Sequence, residues 1–248
     1  MQYVESSFIP SGKISLALVD KRITKPMEEY LNKININIIK SETCKETYDA
    51  ISCHPDISTL KINNNNIIVA PNVYEYYYYL LSPFGFNVIK GDSHIKNKYP
   101  KNIQYNVVIL GKYAIHNFNY TDTKIINYIE KNNFIKINVK QGYCKCSICI
   151  VDENSIITSD EGIYKEVKKH NIDCLLIEKG HIDLFKMNYG FIGGCSGLIS
   201  KNDLVFFGDI SKHPDFDKIK DFTKSKNKNI ISLSNENLLD LGSLIPLM

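Results

Sequence analysis

The chain has 248 residues, of which 44% are hydrophobic and 23% are charged, and its formal net charge is +3 at pH 7. This composition excludes disordered and collagen-like proteins, and a chain of this length buries about 70 to 75% of its unfolded surface. The lysines are spread along the chain, which argues against a nucleic-acid-binding surface. The sequence has no long apolar stretch and no basic and apolar leader, so we expect a cytoplasmic protein without membrane association.

One sequence pattern recurs along the chain at intervals of about 40 to 50 residues, which is the spacing of supersecondary units in arrays and propellers. Each copy contains a short β-branched or aromatic run, a segment with apolar residues at helical spacing, and a second short apolar run. Most copies follow a further strand-like run, so the pattern predicts strand, strand, helix, strand. The units cover approximately residues 10–43, 51–92, 103–139, 143–180 and 190–233.

The runs that precede the units are predicted to be strands from their first residue. Residues 56–62, 145–150 and 194–199 align on a Ser-x-x-(Leu/Ile) pattern, and residues 104–110 are a less regular version. The first unit lacks such a run, whereas residues 238–247 are strand-like and have no unit after them. We therefore predict that this last strand completes the first unit and closes a ring, which removes unpaired sheet edges. Residues 1–248 are then a single domain.

The seven cysteines are predicted to be reduced thiols, because they are odd in number and no export signal accompanies them. Cys146 and Cys149 have the Cys-x-x-Cys spacing of metal ligands, and Cys144 lies nearby. If this segment were a strand, Cys144 and Cys146 would lie on one face and Cys149 on the other, which disfavours a common metal ion. We expect no bound metal.

Five β-β-α-β units closed by a C-terminal strand resemble the pentein fold, the five-bladed β/α propeller of the guanidino-group-modifying enzymes. The resemblance covers essentially the whole chain, and the sequence looks like a clostridial-type branch of unknown function within that superfamily. Its members include arginine deiminases, dimethylarginine hydrolases, agmatine deiminases and amidinotransferases. A ribosome anti-association factor without enzymatic activity shares the fold, so the fold alone does not decide the function.

The resemblance implies a site around a central channel, with a histidine motif, guanidinium-binding carboxylates and a nucleophilic cysteine. His54 and Asp56 match the His-x-Asp motif, and Cys195, which is flanked by glycines, is the predicted nucleophile. Cys146 is the alternative nucleophile, because the repeat alignment places it at the same level as Cys195. The repeat alignment also places residues that can contact the ligand near the channel: Ser58, Cys146, Gly194, Ser196, Asp240 and Ser243.

The sequence departs from the family pattern in the closing segment. The family's nucleophile lies there, and this chain has Asp240, Gly242 and Ser243 in that segment but no cysteine. Two readings besides a deiminase-like hydrolase or an amidinotransferase therefore stay open. One is a pentein that binds a protein, a ribosomal surface or a metabolite without catalysis, and the other is a metal or redox protein that uses its clustered thiols.

The glycines around Cys195 have the spacing of neither a P-loop nor a dinucleotide fingerprint, so we expect no cofactor. The expected partner is a small-molecule ligand in the central channel. A protein partner is the alternative, and nucleic acid is not expected.

Overall fold

The computed structural model of the chain describes residues 2–248. Within these residues, the strands form five three-stranded sheets, and at least one helix accompanies each sheet. The predicted α/β architecture of five β-β-α-β units is therefore confirmed.

The strands and helices are short, and they follow one another in the predicted order. The strands are β1 (Leu16–Val19), β2 (Asn37–Lys40), β3 (Thr59–Asn63), β4 (Asn66–Val69), β5 (Asn87–Lys90), β6 (Val108–Leu110), β7 (Tyr113–His116), β8 (Ile135–Asn138), β9 (Ile148–Asp152), β10 (Ser155–Thr158), β11 (Asp173–Leu176), β12 (Ser196–Leu198), β13 (Asp203–Phe206), β14 (Asn229–Ser232) and β15 (Ile245–Pro246). The α-helices are α1 (Lys25–Lys33), α2 (Pro55–Ser58), α3 (Tyr74–Leu81), α4 (Thr123–Lys131), α5 (Cys144–Ser147), α6 (Glu161–Lys168) and α7 (Phe216–Ser225). Short 3₁₀ turns cover Pro71–Val73, Ser82–Phe84 and Ile210–Lys212.

All the sheets share one pairing scheme. The middle strand pairs antiparallel with its leading strand and parallel with the strand that follows the helix, as in the order β3-β4-β5. The middle strands are rich in β-branched residues and are buried, which suits strands that have neighbours on both sides. Each parallel connection is made by a helix, because parallel strands need a long crossover.

The first sheet is completed by the C-terminal strand β15, as predicted. Strand β15 pairs antiparallel with β1, and Leu18 lies opposite Ile245 in the register. The first and last units also meet, since the Ile14 N–H donates a 2.9 Å hydrogen bond to the Ile199 carbonyl oxygen. A separate apolar cluster joins these two units, with Ala17, Met27 and others from the first and residues such as Val205 from the last.

All four leading runs become strands later than predicted, and two of them begin in a helical turn. Residues 56–58 and 145–147 were expected to be extended, but they lie in the helical turns α2 and α5, and the strands begin only after them. In α2 the backbone turns because Pro55 fixes φ at a helical value, and the Thr59 hydroxyl caps the turn by donating to the Pro55 carbonyl oxygen at 2.9 Å. Side chains in these turns follow a helical period, so strand alternation misplaces them.

Among residues 2–248, none of the helices is long and apolar enough to span a membrane.

We predict that Ile245→Ala lowers the free energy of unfolding by about 2 to 5 kcal/mol, because the side chain is fully buried where β15 meets β1. Denaturant unfolding followed by circular dichroism measures this loss. The matched control is Ile135→Ala, since Ile135 is 42% exposed, and its expected change is about 0.5 kcal/mol or less. Equal losses in the two variants would contradict the burial of the Ile245 side chain between β15 and its neighbours.

Candidate functional site

The helical turn α2 holds the histidine and the carboxylate of the His-x-Asp motif. His54 immediately precedes the turn in an extended conformation, and Asp56 lies in its first turn. Both are almost completely buried, at 1% and 2% exposure. Gly242 packs against His54 with a φ of +65°, and a Cβ at this glycine would overlap the His54 side chain. Glycine is therefore required beside the histidine.

The helical turn α5 brings a thiol to the same place. The Cys146 Sγ lies 3.2 and 3.3 Å from the two carboxylate oxygens of Asp56 and donates to them. The Asn106 side-chain amide donates to the same sulfur at 3.2 Å, while its oxygen accepts from the backbone N–H of Lys145 at 2.7 Å. Asn106 thus fixes both the sulfur and the turn that carries it.

A buried lysine and a serine support Asp56 from the other side. The Ser243 hydroxyl lies 2.8 Å from Asp56 Oδ2 and 2.9 Å from the Gly193 carbonyl oxygen, and it accepts from Lys145 Nζ at 2.8 Å. Ser243 adopts a left-handed φ of +71°, which is uncommon for a residue with a Cβ. Burial lowers the pKa of the Lys145 ammonium, and the Asp56 charge opposes that shift.

His54 lies between two further carboxylates. Its Nε2 is 4.0 Å from Asp20 Oδ2, and its Nδ1 is 3.8 Å from Asp240 Oδ1. These separations are too long for hydrogen bonds, and neither ring nitrogen has a hydrogen-bond partner among the described residues. Arg22 holds Asp20 in place: its Nε donates to Asp20 Oδ1 at 3.0 Å, and its Nη2 donates to Asp20 Oδ2 at 2.6 Å.

Burial controls the protonation of the site. It raises the pKa of the Asp240 carboxyl, an effect that the nearby His54 opposes and Asp56 reinforces. Burial also raises the pKa of the Cys146 thiol well above its usual range, and the charges of Asp56 and Asp240 add to this rise. The sulfur is therefore a neutral thiol until a positive charge arrives near the carboxylates.

A cavity of about 360 Å³ opens above these groups. His54, Cys146 and Asp240 form its polar floor, and most of its wall residues are aromatic or aliphatic. The wall residues are Tyr48, Ile51, Tyr143, Leu184, Lys186, Met187, Asn188, Tyr189 and Phe191, and Lys186 is engaged in an ion pair with Asp49. A carboxylate floor with aromatic walls suits a small organic cation, because the rings attract positive charge and the carboxylate pairs with it.

Residues 184–189 contribute five of the lining residues: Leu184, Lys186, Met187, Asn188 and Tyr189. Met187 is 52% exposed although it lines the cavity. Lys186 Nζ lies 2.8 Å from Asp49 Oδ2, so an exposed ion pair joins this segment to the loop that carries Tyr48 and Ile51.

The structure gathers some of the predicted site residues and separates others. His54, Cys146 and Asp240 line the cavity, and Asp56 and Ser243 lie behind them, where Asp56 accepts hydrogen bonds from Cys146 and Ser243. The four other predicted residues lie outside the lining of the cavity: Ser58, Gly194, Cys195 and Ser196.

The predicted nucleophile Cys195 is buried within the fifth unit, where its Sγ donates to the Ile192 carbonyl oxygen at 3.3 Å. His54 lines the cavity and Cys195 does not. Gly194 has a structural role, because its carbonyl oxygen accepts from Ser243 N at 2.8 Å and a Cβ there would overlap Asp240.

The three thiols considered as a metal site do not converge. Within residues 2–248, the cluster with metal-ligand geometry is His54, Asp56 and Cys146. Cys144 Sγ instead donates to the Gln141 carbonyl oxygen at 3.0 Å, and Cys149 lies on β9. The helical turn α5 accounts for the difference, since it rotates Cys144 and Cys146 apart.

Sequence reasoning missed Asp20, Arg22, Asn106 and Lys145. For the first pair a signal was present, because Arg22 is the only arginine of the chain and stands two residues after an aspartate. A planar guanidinium binds a carboxylate with two parallel contacts, which lysine cannot reproduce. Asn106 and Lys145 carry no comparable signal.

Residues 18–245 match the model of a family of unknown function, DUF6873. The chain belongs to this family. The comparison with curated proteins finds no match.

Solved structures share the fold of this chain. It is similar to the inosamine-phosphate amidinotransferase StrB1 of Streptomyces griseus, with 9% identity, a TM-score of 0.61 and coverage of 99% of this chain and 97% of that one. The C. jejuni agmatine deiminase has 12% identity, a TM-score of 0.58 and coverage of 94% and 91%. The DDAH from Pseudomonas aeruginosa, complexed with citrulline, has 9% identity, a TM-score of 0.54 and coverage of 90% and 93%.

These structural neighbours are members of the pentein superfamily, and the fold of this chain is the pentein fold. At such low identities the likeness concerns the fold and not the chemistry. The assignment to a clostridial branch stays a prediction.

We predict that Gly242→Ala destabilises the protein by at least about 1 to 2 kcal/mol, because a side chain is strained at its positive φ and also overlaps His54. Thermal unfolding at one pH measures the change. Gly12→Ala is the matched control, since the structure places nothing within 4 Å of a Cβ at that position. An unchanged melting temperature for Gly242→Ala would contradict the described packing.

We predict that Asp240→Asn accelerates the alkylation of Cys146 by iodoacetamide at pH 8. The substitution removes a negative charge that raises the pKa of the thiol, and each unit of pKa lowering gives about ten times more thiolate. Mass spectrometry of the Cys146 peptide measures the rate, and the Cys44 peptide is the internal control. A rate that is equal to or below that of the unsubstituted protein would refute this charge coupling.

Proposed function

We propose that the protein binds a small guanidinium- or amidine-bearing molecule in the cavity and that Cys146 attacks the central carbon of that group. The observation that carries the proposal is the meeting of Cys146, His54 and Asp240 on one cavity floor beneath aromatic walls. A nucleophile and its proton carrier must reach the same reacting atom, and this arrangement meets that condition. The pentein fold of the amidinotransferase and deiminase neighbours adds support.

The negative charge of the site favours binding of a cation. Three buried carboxylates, those of Asp20, Asp56 and Asp240, lie in or directly behind the lining of the cavity. Within the part of the chain described here, the cationic side chains that compensate them are the buried Lys145 and the partly exposed Arg22. A planar organic cation supplies the missing positive charge, and Asp240 can pair with it from the lining of the cavity.

The bound cation activates the thiol. It offsets the negative charges that raise the pKa of Cys146, so the proton can leave the sulfur for the Asp56 carboxylate, to which it is hydrogen-bonded. The thiolate then forms a bond to the guanidinium or amidine carbon. The proton taken from the sulfur is then passed from Asp56 by way of His54 to the departing amine as the carbon–nitrogen bond breaks.

The covalent intermediate then has two fates. Water or an acceptor amine attacks the carbon, the carbon–sulfur bond breaks, and a proton of the attacking group returns to the sulfur. Attack by water gives a hydrolase, whereas attack by an acceptor amine gives an amidinotransferase. Cys146 replaces Cys195 in this proposal because Cys146 lines the cavity and Cys195 does not.

We predict that Cys146→Ala lowers turnover of the active amidine by at least about 10³-fold, because the substitution removes the attacking atom. The assay incubates the protein with arginine, agmatine, methylated arginines and simple amidines in the presence of a chelator. It measures ureido products from the guanidines, amides from the amidines, and the ammonia or amine that is released. A haloacetamidine probe with mass spectrometry locates the reactive thiol independently of turnover.

Cys195→Ala is the matched variant, since it removes an equally buried thiol outside the cavity lining. We expect it to retain activity within about threefold. Loss of activity and labelling in Cys195→Ala, with both kept in Cys146→Ala, would transfer the role to Cys195. The absence of any product or released amine, together with the absence of labelling across the panel, would overturn the proposed chemistry.

A second candidate is a binding protein without catalysis. It is favoured by Ser243, which stands in the closing segment where the family resemblance leads one to expect the nucleophile, and whose hydroxyl is tied to Asp56 and Gly193. Calorimetric binding of an amidine that gives neither product nor adduct would favour this candidate.

A further inference from the structure

We propose that His54, Asp56 and Cys146 bind one divalent transition-metal ion of the zinc type on the floor of the cavity. This inference is independent of the proposed attack by Cys146. It describes a second state of the same residues, in which the metal ion holds the sulfur and the thiol chemistry is blocked.

The distances suit such an ion. A ligand atom of each of the three side chains lies within 4.8 Å of those of the other two. Zinc lies about 2.0 to 2.3 Å from nitrogen, oxygen and sulfur ligands, so tetrahedral ligand atoms are about 3.3 to 3.6 Å apart. The Cys146 sulfur and the Asp56 oxygens are already at 3.2 and 3.3 Å. A movement of His54 by about 1 Å completes the three-ligand set.

The state of His54 is an independent sign of a missing ligand. The side chain is fully buried, and neither of its ring nitrogens has a hydrogen-bond partner among residues 2–248. Buried polar groups are nearly always satisfied, because an orphaned one costs about 1 to 3 kcal/mol. A metal ion at the cluster removes one of these two orphans.

The surroundings provide the usual support for a histidine ligand. A metal-bound histidine donates its other ring N–H to a carboxylate or carbonyl oxygen. His54 has a carboxylate opposite each nitrogen, Asp240 beside Nδ1 at 3.8 Å and Asp20 beside Nε2 at 4.0 Å. Whichever nitrogen binds the ion, the other faces an acceptor.

The charges balance when the ion is bound. Its two positive charges offset the Asp56 carboxylate and the Cys146 thiolate, while Lys145 and Arg22 remain for the other buried acids. On binding, the Cys146 S–H bond loses its proton to water and a sulfur–metal bond forms, so no redox partner is needed. The Asn106 amide, 3.2 Å from the sulfur, stabilises the thiolate.

The mixed donor set selects the metal. Nitrogen, oxygen and thiolate ligands together suit Zn²⁺, whereas Mg²⁺ and Ca²⁺ prefer oxygen alone. Since His54 and Cys146 line the cavity, the fourth coordination position faces it. Metal and organic cation are therefore mutually exclusive on this floor.

The test uses Co²⁺ as a spectroscopic probe on the full chain after treatment with a chelator. We expect one equivalent of Co²⁺ to give a thiolate-to-cobalt charge-transfer band, and we expect Zn²⁺ to displace it. Cys146→Ser abolishes the band, and Asp56→Asn weakens Co²⁺ binding by at least about tenfold. Cys149→Ala is the matched control and keeps the band, because Cys149 lies outside the cluster.

A second measurement covers a variant that fails to fold. In the unsubstituted protein, we expect Zn²⁺ to slow the alkylation of Cys146 at least about tenfold, and we expect this protection to grow with pH because the thiol proton must leave. No charge-transfer band, a band that survives in Cys146→Ser, or no protection of Cys146 by Zn²⁺ would overturn the metal site. The amidine assay contains chelator, so its failure does not bear on this result.

Discussion

The need to keep three buried carboxylates near one another controls this site. Asp20, Asp56 and Asp240 are all removed from water, where mutual repulsion and lost hydration are severe. The protein answers with Arg22 on one acid and with Lys145, through Ser243, on another. Asp240, which lines the cavity, accepts hydrogen bonds from backbone N–H groups and not from either of these cations. The proposed organic cation and the proposed metal ion are two alternative ways to neutralise the negative charge that remains.

Two helical turns convert the repeat into a site. Strands alone would alternate their side chains between faces, and Asp56 and Cys146 would not meet reliably. The turns α2 and α5 occupy equivalent places in the second and fourth units, and they bring these two side chains within contact distance. The sheets of these units are structural, and the site residues lie in the turns that precede their leading strands.

The fold was largely predictable because the repeat appears in the sequence as short apolar runs that alternate with helical periodicity, and the pairing of β15 with β1 followed from it. The His-x-Asp motif likewise led to His54 and Asp56. The thiol was harder to assign, because glycines drew attention to Cys195 while the turn that presents Cys146 was read as a strand. Asn106 could not have been found, since its role depends on contacts between distant units.

The pairing of β15 with β1 has a consequence for the order of events during synthesis. Asp240, Gly242 and Ser243 precede β15 and form one side of the site. His54 and Cys146, on the other side, are synthesised about a hundred or more residues earlier. The lining of the cavity is therefore complete only after the last strand has paired with the first. The shape and charge of the cavity depend on one of the last contacts that the chain can form during synthesis.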